Sequence, residues 1–227
     1  MIKAVVFDLD NTLIDFMRLK TRSCEEAVLA MIGAGLDMKK EEALKVLFEL
    51  YDKYGLEDQK IFQKFLRATI GRIDWKILSS GIVAYRRVKS GYLEPYPRVH
   101  STLINLKVRG IKLAILSDAP KMRAWLRIAS MRLTDFFDVV VTHDDTKHFK
   151  PHPATFKLVL KRLGLPPQEV LMVGDWPERD ILGAKKVGML TCLASYGCVK
   201  PSKRVKPDWS INSIEELINI IESVNDG

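Results

Sequence analysis

"VVFDLDNTLI", residues 5–14, decides how this chain is read. Val5, Val6, Phe7, Leu9, Leu13 and Ile14 suit a strand buried on both faces, as in a parallel sheet. Asp8 and Asp10 do not, because an unpaired buried carboxylate is very costly. On an extended backbone, residues two apart point to one side, so the two acids would present paired carboxylates where the strand ends. A divalent cation would offset their repulsion, and magnesium favours such oxygen ligands.

Beyond this stretch the sequence has two textures. Residues 16–91 are helical in pattern. "CEEAVLAMIGAG", "KKEEALKVLFELYDKYG", "DQKIFQKFLRATIG" and "DWKILSSGIVAYRRVKSG" carry apolar residues three or four apart, which predicts a small four-helix bundle. "GYLEPYPRV" (91–99) breaks that pattern with two prolines and reads as a linker. From residue 92 onward, strand-like runs ("IKLAILSD", "FFDVVVTHDD", "EVLMVGD", "MLTCLAS", "PDWSI") alternate with helical ones. That alternation predicts an α/β fold, a Rossmann-like parallel sheet with helices on both faces. The expected organisation is therefore residues 1–15 and 92–227 as one α/β core, with 16–91 inserted as a helical domain. In the last helical run, Ser213 and Glu216 have the spacing of a capping box.

Composition excludes several classes. Hydrophobic residues at 47% and charged residues at 28% are an ordinary globular mix, and no apolar run is long enough to span a bilayer. The N-terminus lacks the layout of a signal peptide. Three cysteines, Cys24, Cys192 and Cys198, make neither a disulfide framework nor a metal spacing, so a cytoplasmic protein is expected. The net charge of +8 is spread along helices beside acids, which suits steering of a small anion better than a nucleic-acid surface. "KPSKRVK" (200–206) reads as a solvated loop. Neither nucleic acid nor membrane is expected as a partner, and the oligomeric state is not legible.

Ligands of open parallel sheets bind beyond the carboxyl ends of the strands. At those ends stand Asp8, Asp10 and Thr12; Ser117 and Asp118; the loop "HDDTKHFKPHP" with Lys150; and Asp175 followed by Asp180. Each is useful for phosphate or metal chemistry, and Asp8 and Asp175 are the expected carboxylate ligands, helped by a backbone carbonyl. His143, His148 and His152 lie close together, but zinc needs fixed spacing on defined elements, and this stretch reads as a loop. Phe16, Arg18 and Lys20 follow the first acidic loop, where they either face a substrate or form a solvated first turn.

The ordered set DxDxT (Asp8, Asp10, Thr12), Ser117, Lys150 in "KPHP" and GDxxxxD (Asp175, Asp180) resembles the haloacid dehalogenase superfamily. More narrowly, it resembles the family's magnesium-dependent phosphatases with a helical cap after the first motif. That resemblance implies a phosphomonoesterase for a small phosphorylated metabolite of the triose-phosphate, sugar-phosphate or phosphoglycolate type. It implies Asp8 as nucleophile, giving an aspartyl-phosphate, and Asp10 as general acid and base. Thr12 and Ser117 would bind phosphate oxygens, helped by backbone N–H groups near Asn11 and Asp118, and Lys150 would balance the phosphoryl charge. The Mg2+ site would be drawn from Asp8, Asp10, Asp175 and Asp180, with Asp180 holding a metal-bound water or orienting Lys150. Two residues depart from the family pattern, Asp118 and Arg179, each where asparagine is common. The competing readings are a 2-haloacid dehalogenase or phosphomutase of the same fold, and a non-catalytic phosphate-binding module. Asp10 argues against the dehalogenase, and the number of costly acids argues against the binding module.

Overall fold

The computed structural model describes residues 1–91, 93–198 and 200–226. The chain divides into two compact units, Met1–Asp15 with Glu94–Gly227, and Phe16–Leu93. The expected boundary at 91/92 touches Tyr92, which lies outside the described residues.

The larger unit is built on one six-stranded sheet. Its strands are β1 (Ala4–Phe7), β2 (Lys112–Leu116), β3 (Val139–Val141), β4 (Val170–Gly174), β5 (Leu190–Ala194) and β6 (Trp209–Ile211). They lie in the order β3-β2-β1-β4-β5-β6, and every neighbouring pair is parallel. All four residues of β1 are buried, as expected for a central strand covered on both faces. β1 lies between β2 and β4, with Phe7 in register with Ile115 and Val173. The strand order reverses at β1 and β4, which makes the crevice beyond Phe7 and Gly174 the topological switch point.

Side-chain alternation assigns the two faces. Ala4, Val6, Ala114, Leu116, Val170 and Met172 join Phe156, Val159 and Leu163 of α8 (Pro153–Leu163) and Ala184 of α9 (Leu182–Lys186) in one cluster. Phe156 is fully buried there, and Gly183 leaves it room: a Cβ at that glycine would lie 2.2 Å from Phe156 Cε2. The remaining helices are α5 (Val99–Val108), α6 (Lys121–Ser130), α7 (His143–Thr146) and α10 (Glu216–Asn225).

The smaller unit holds four helices, α1 (Phe16–Gly33), α2 (Lys40–Tyr54), α3 (Ile61–Ile70) and α4 (Trp75–Gly91). They bury a core of their own that includes Ala27, Met31, Leu47, Phe65 and Leu66. α1 starts eight residues before the predicted run at Cys24, because Phe16, Leu19, Lys20 and Ser23 continue its buried face. Lys20 does not form a solvated first turn but is buried. Its Nζ donates to Leu56 O at 2.8 Å and Tyr85 Oη at 3.0 Å and lies 4.0 Å from the Tyr51 ring centroid.

Two end signals also came out differently. Ser213 Oγ donates to Glu216 Oε1 at 3.2 Å, but α10 begins only at Glu216, so the pair precedes the helix rather than capping it. A full capping box occurs instead at Thr142 and Asp145, and it turns the start of the presumed loop into α7. No helix among the described residues is long and apolar enough to cross a membrane.

Phe156→Ala removes a ring packed between sheet and helix. It is expected to cost about 3–5 kcal/mol of stability, read from urea unfolding midpoints.

Candidate active site

Four strand ends of the larger unit supply the site. β1 stops at Phe7, and the Asp8 N–H donates to Val173 O of β4 at 2.8 Å, so the backbone pairs until the first acid. The chain then turns through Asn11, whose φ of 59° lies in the left-handed region that asparagine tolerates. The Asn11 N–H donates back to Ile14 O at 2.6 Å. That N–H is therefore used to close the turn. The turn is held from outside by Tyr196, whose Oη donates to Thr12 O at 2.8 Å. Gly197 lies so close that a Cβ would sit 1.7 Å from Asn11 O.

Lys150 is the centre of the arrangement. Its Nζ lies 2.5 Å from Asp8 Oδ1 and 2.6 Å from Asp180 Oδ1, and donates to Leu116 O at 3.1 Å. All three side chains are buried, with exposures of 3, 9 and 1% for Lys150, Asp8 and Asp180. Burial alone would lower the ammonium pKa, but Asp180, Asp8 and Asp118 outweigh it and hold Lys150 well above its usual range. Asp180 reaches the site from a π-helical turn (Pro177–Ile181), where its Oδ2 accepts from the Trp176 N–H at 3.0 Å. Gly174 makes that approach possible, since a Cβ there would lie 2.4 Å from Asp180 Cγ.

Asp8, Asp175 and Asp180 bring one carboxylate oxygen each within 4.8 Å of one another. Burial, with Asp180 and Asp175 beside it, pushes Asp8 well above the ordinary carboxylate pKa, although Lys150 pulls it down. Burial and then Asp180 push Asp175 up to about 7, again against Lys150. Three acids facing one ammonium leave surplus negative charge, and raised carboxylates are its signature. An all-oxygen, negatively charged donor set of this kind fits a hard divalent cation.

Asp10 is not part of that group. Its Oδ2 accepts from Arg127 Nη1 of α6 at 2.8 Å. Its side chain is thus held by Arg127, while the carboxylate oxygens that gather are those of Asp8, Asp175 and Asp180. The paired strand ends at Phe7, and each acid finds its own cation. Ser117 Oγ stands at the end of β2 and accepts from the Ala119 N–H at 3.1 Å. Thr12 has no exposed surface, and its Oγ1 has no partner among the described residues. A ligand touches that hydroxyl only if the loop opens.

The two departures from the family pattern meet each other. Asp118 Oδ2 accepts from Arg179 Nη1 at 3.2 Å, and Oδ1 accepts from the Lys150 N–H at 2.8 Å. Both Asp118 carboxylate oxygens are thus taken up by Arg179 and the Lys150 backbone. The Arg179 guanidinium also stacks 4.0 Å over the Trp176 ring. The histidines make no comparable group: His148 stacks on His152 with centroids 3.8 Å apart, and His143 on Phe149 at 4.2 Å.

Sequence reasoning missed Arg127, Gly174 and Gly197. Arg127 had a signal, because a periodic reading of α6 puts it beside Ala124 and Ile128 on the inward face. The two glycines are legible only once their neighbours are in place.

The sheet order, the four strand-end motifs and the lysine between acids together describe an α/β core with its chemistry gathered at one sheet edge. Residues 2–188 match the family described as haloacid dehalogenase-like hydrolase. This chain belongs to that family. It is 36% identical over 225 residues to the glyceraldehyde 3-phosphate phosphatase of Methanocaldococcus jannaschii, covering 99% of each chain. It is also 36% identical to the protein of that name from Pyrococcus abyssi, covering 99% of this chain and 96% of the relative. The fold matches the crystal structure of a putative beta-phosphoglucomutase from Thermotoga maritima with a TM-score of 0.78 at 23% identity. That match covers 98% of this chain and 100% of the other.

Gly174→Ala is expected to displace Asp180 and cost about 1–3 kcal/mol, the usual range for overpacking. Arg179→Ala, in a partly exposed pair, is expected to cost less than about 1 kcal/mol in the same melting series.

Proposed function

We propose that this protein is a magnesium-dependent phosphomonoesterase that acts on a small phosphorylated metabolite, with Asp8 as the nucleophile. The observation that carries the reading is Lys150 held between Asp8 and Asp180 at 2.5 and 2.6 Å, beside Asp175, at the sheet's switch point. Lys150 pulls the Asp8 carboxyl back towards its ionised form against burial and would offset charge on the transferring phosphoryl group. Ser117 Oγ and the Asp118 N–H would take phosphate oxygens. Asp10 would protonate the leaving oxygen and later take a proton from the hydrolytic water. Asp8, Asp175 and Asp180 are the residues that would hold Mg2+. When bound, the ion supplies the missing positive charge and stabilises the phosphoryl oxygens.

The relatives named as glyceraldehyde 3-phosphate phosphatases make that triose phosphate the first substrate to test, with sugar phosphates and phosphoglycolate next. We read the inserted helical unit as a cap that supplies substrate contacts, and the net charge of +8 suits an anionic substrate. Asp10 speaks against the haloacid dehalogenase reading, since that chemistry needs only the nucleophile.

Phosphate release from glyceraldehyde 3-phosphate with Mg2+ tests the proposal. Asp8→Asn is expected to lower turnover by about 10^4-fold or more while leaving the fold intact. An Asp8→Asn protein that turns over at the unaltered rate would show that Asp8 is not the nucleophile.

The raised carboxylates give a second expectation. Burial, and Asp180 beside it, push the folded Asp175 carboxyl up to about 7 from its ordinary 3.8. Between those values the native state therefore binds the extra proton, and stability of the metal-free protein falls as pH rises through 7. Mg2+ should then raise the melting temperature more at pH 8 than at pH 5.5, where protons compete for the same oxygens. Equal shifts at both pH values would place the ion elsewhere.

A further inference from the structure

α6 is built against the usual pattern. Met122, Trp125 and Leu126 face outward, while Arg127 is turned in beside Ala124 and Ile128 with only 4% of its side chain exposed. A helix that exposes such apolar residues and buries a guanidinium has broken the rule that normally stabilises it. The buried charge is costly unless its partner is well placed, so a specific role for the pair is the economical explanation. That partner is Asp10, 117 residues away in sequence, with Nη1 and Oδ2 2.8 Å apart. Asp10 keeps 26% of its side chain exposed, with its Oδ1 buried and its Oδ2 held by Arg127.

We propose that Arg127 is a positioning residue that fixes the Asp10 carboxylate in the orientation needed for proton transfer. The proposal rests on the phosphatase reading above. In the first step an Asp8 oxygen bonds to phosphorus, the bond from phosphorus to the ester oxygen breaks, and the Asp10 proton goes to that oxygen, releasing the alcohol. In the second, a water oxygen bonds to phosphorus, its proton goes to Asp10, and the Asp8–phosphorus bond breaks to release inorganic phosphate. Both transfers need the carboxylate aimed at an oxygen that is in place only briefly. A carboxylate free to rotate would spend most of its time misdirected. The rigid planar fork of arginine fixes direction, which the point charge of lysine does not.

The test compares two esters in the wild type, Arg127→Met and Arg127→Lys. p-Nitrophenyl phosphate has a leaving group that departs as a stable anion, whereas glycerol phosphate needs its leaving oxygen protonated. For Arg127→Met, kcat/KM on glycerol phosphate is expected to fall about tenfold or more beyond its fall on p-nitrophenyl phosphate, a modest part of what general acids contribute. Arg127→Lys should recover part of that selective loss. In an Asp10→Asn background, Arg127→Met should add no further selective loss. Equal losses on the two esters, or a further selective loss without Asp10, would overturn the proposal and leave Arg127 as a packing residue. Should Arg127→Met not fold by circular dichroism, the ester comparison in Arg127→Lys decides alone, with equal losses again overturning it. A wild-type protein that releases phosphate from neither ester would instead sink the phosphatase reading itself.

Discussion

The ammonium of Lys150, buried between Asp8 and Asp180, is the interaction on which the rest of this structure depends. Removing a carboxylate from water is costly, and this site removes three from it at the end of one crevice. One lysine balances only part of that charge. The imbalance shows in Asp8 and Asp175, both held above their ordinary pKa range by burial first and by neighbouring acids next. A site that is electrostatically unfinished is suited to taking up a cation and a phosphoryl group together, because each supplies what the other needs.

The fold makes the imbalance possible by placing its acids on separate rigid elements. Asp8 follows β1, Asp175 follows β4, and the two strands are neighbours in register. Lys150 comes from the loop before α8, and its backbone N–H is tied to Asp118 at the end of β2. Asp180 rides on a π-helical turn that closes against Gly174.

Outside this cluster, further charges do the orienting. The Asp118–Arg179 pair links the ends of β2 and β4, with the lysine loop attached to the same carboxylate. Arg127 meets Asp10 from α6. Pairing each outer acid with its own arginine lets the site carry many carboxylates with fewer repulsions among them.

Much of this was legible in the primary structure, and the reasons are local. Strand β1 declared itself through an apolar run cut by acids, the parallel sheet through alternating textures, and the helical insert through its three-to-four spacing. The strand-end rule selected Asp8, Ser117, Lys150, Asp175 and Asp180 before any contact was known. What sequence did not decide was which acid meets which cation. Strand alternation paired Asp8 with Asp10, but the paired strand ends at Phe7, and the two carboxylates part to Lys150 and Arg127. Likewise Lys20 read as a residue facing a substrate or a solvated first turn until Leu56 and Tyr85 enclosed its charge. Periodicity and motif spacing fix which residues a strand or helix presents, because backbone geometry repeats. Partners more than a hundred residues apart are chosen by packing of the whole chain, which no local pattern encodes.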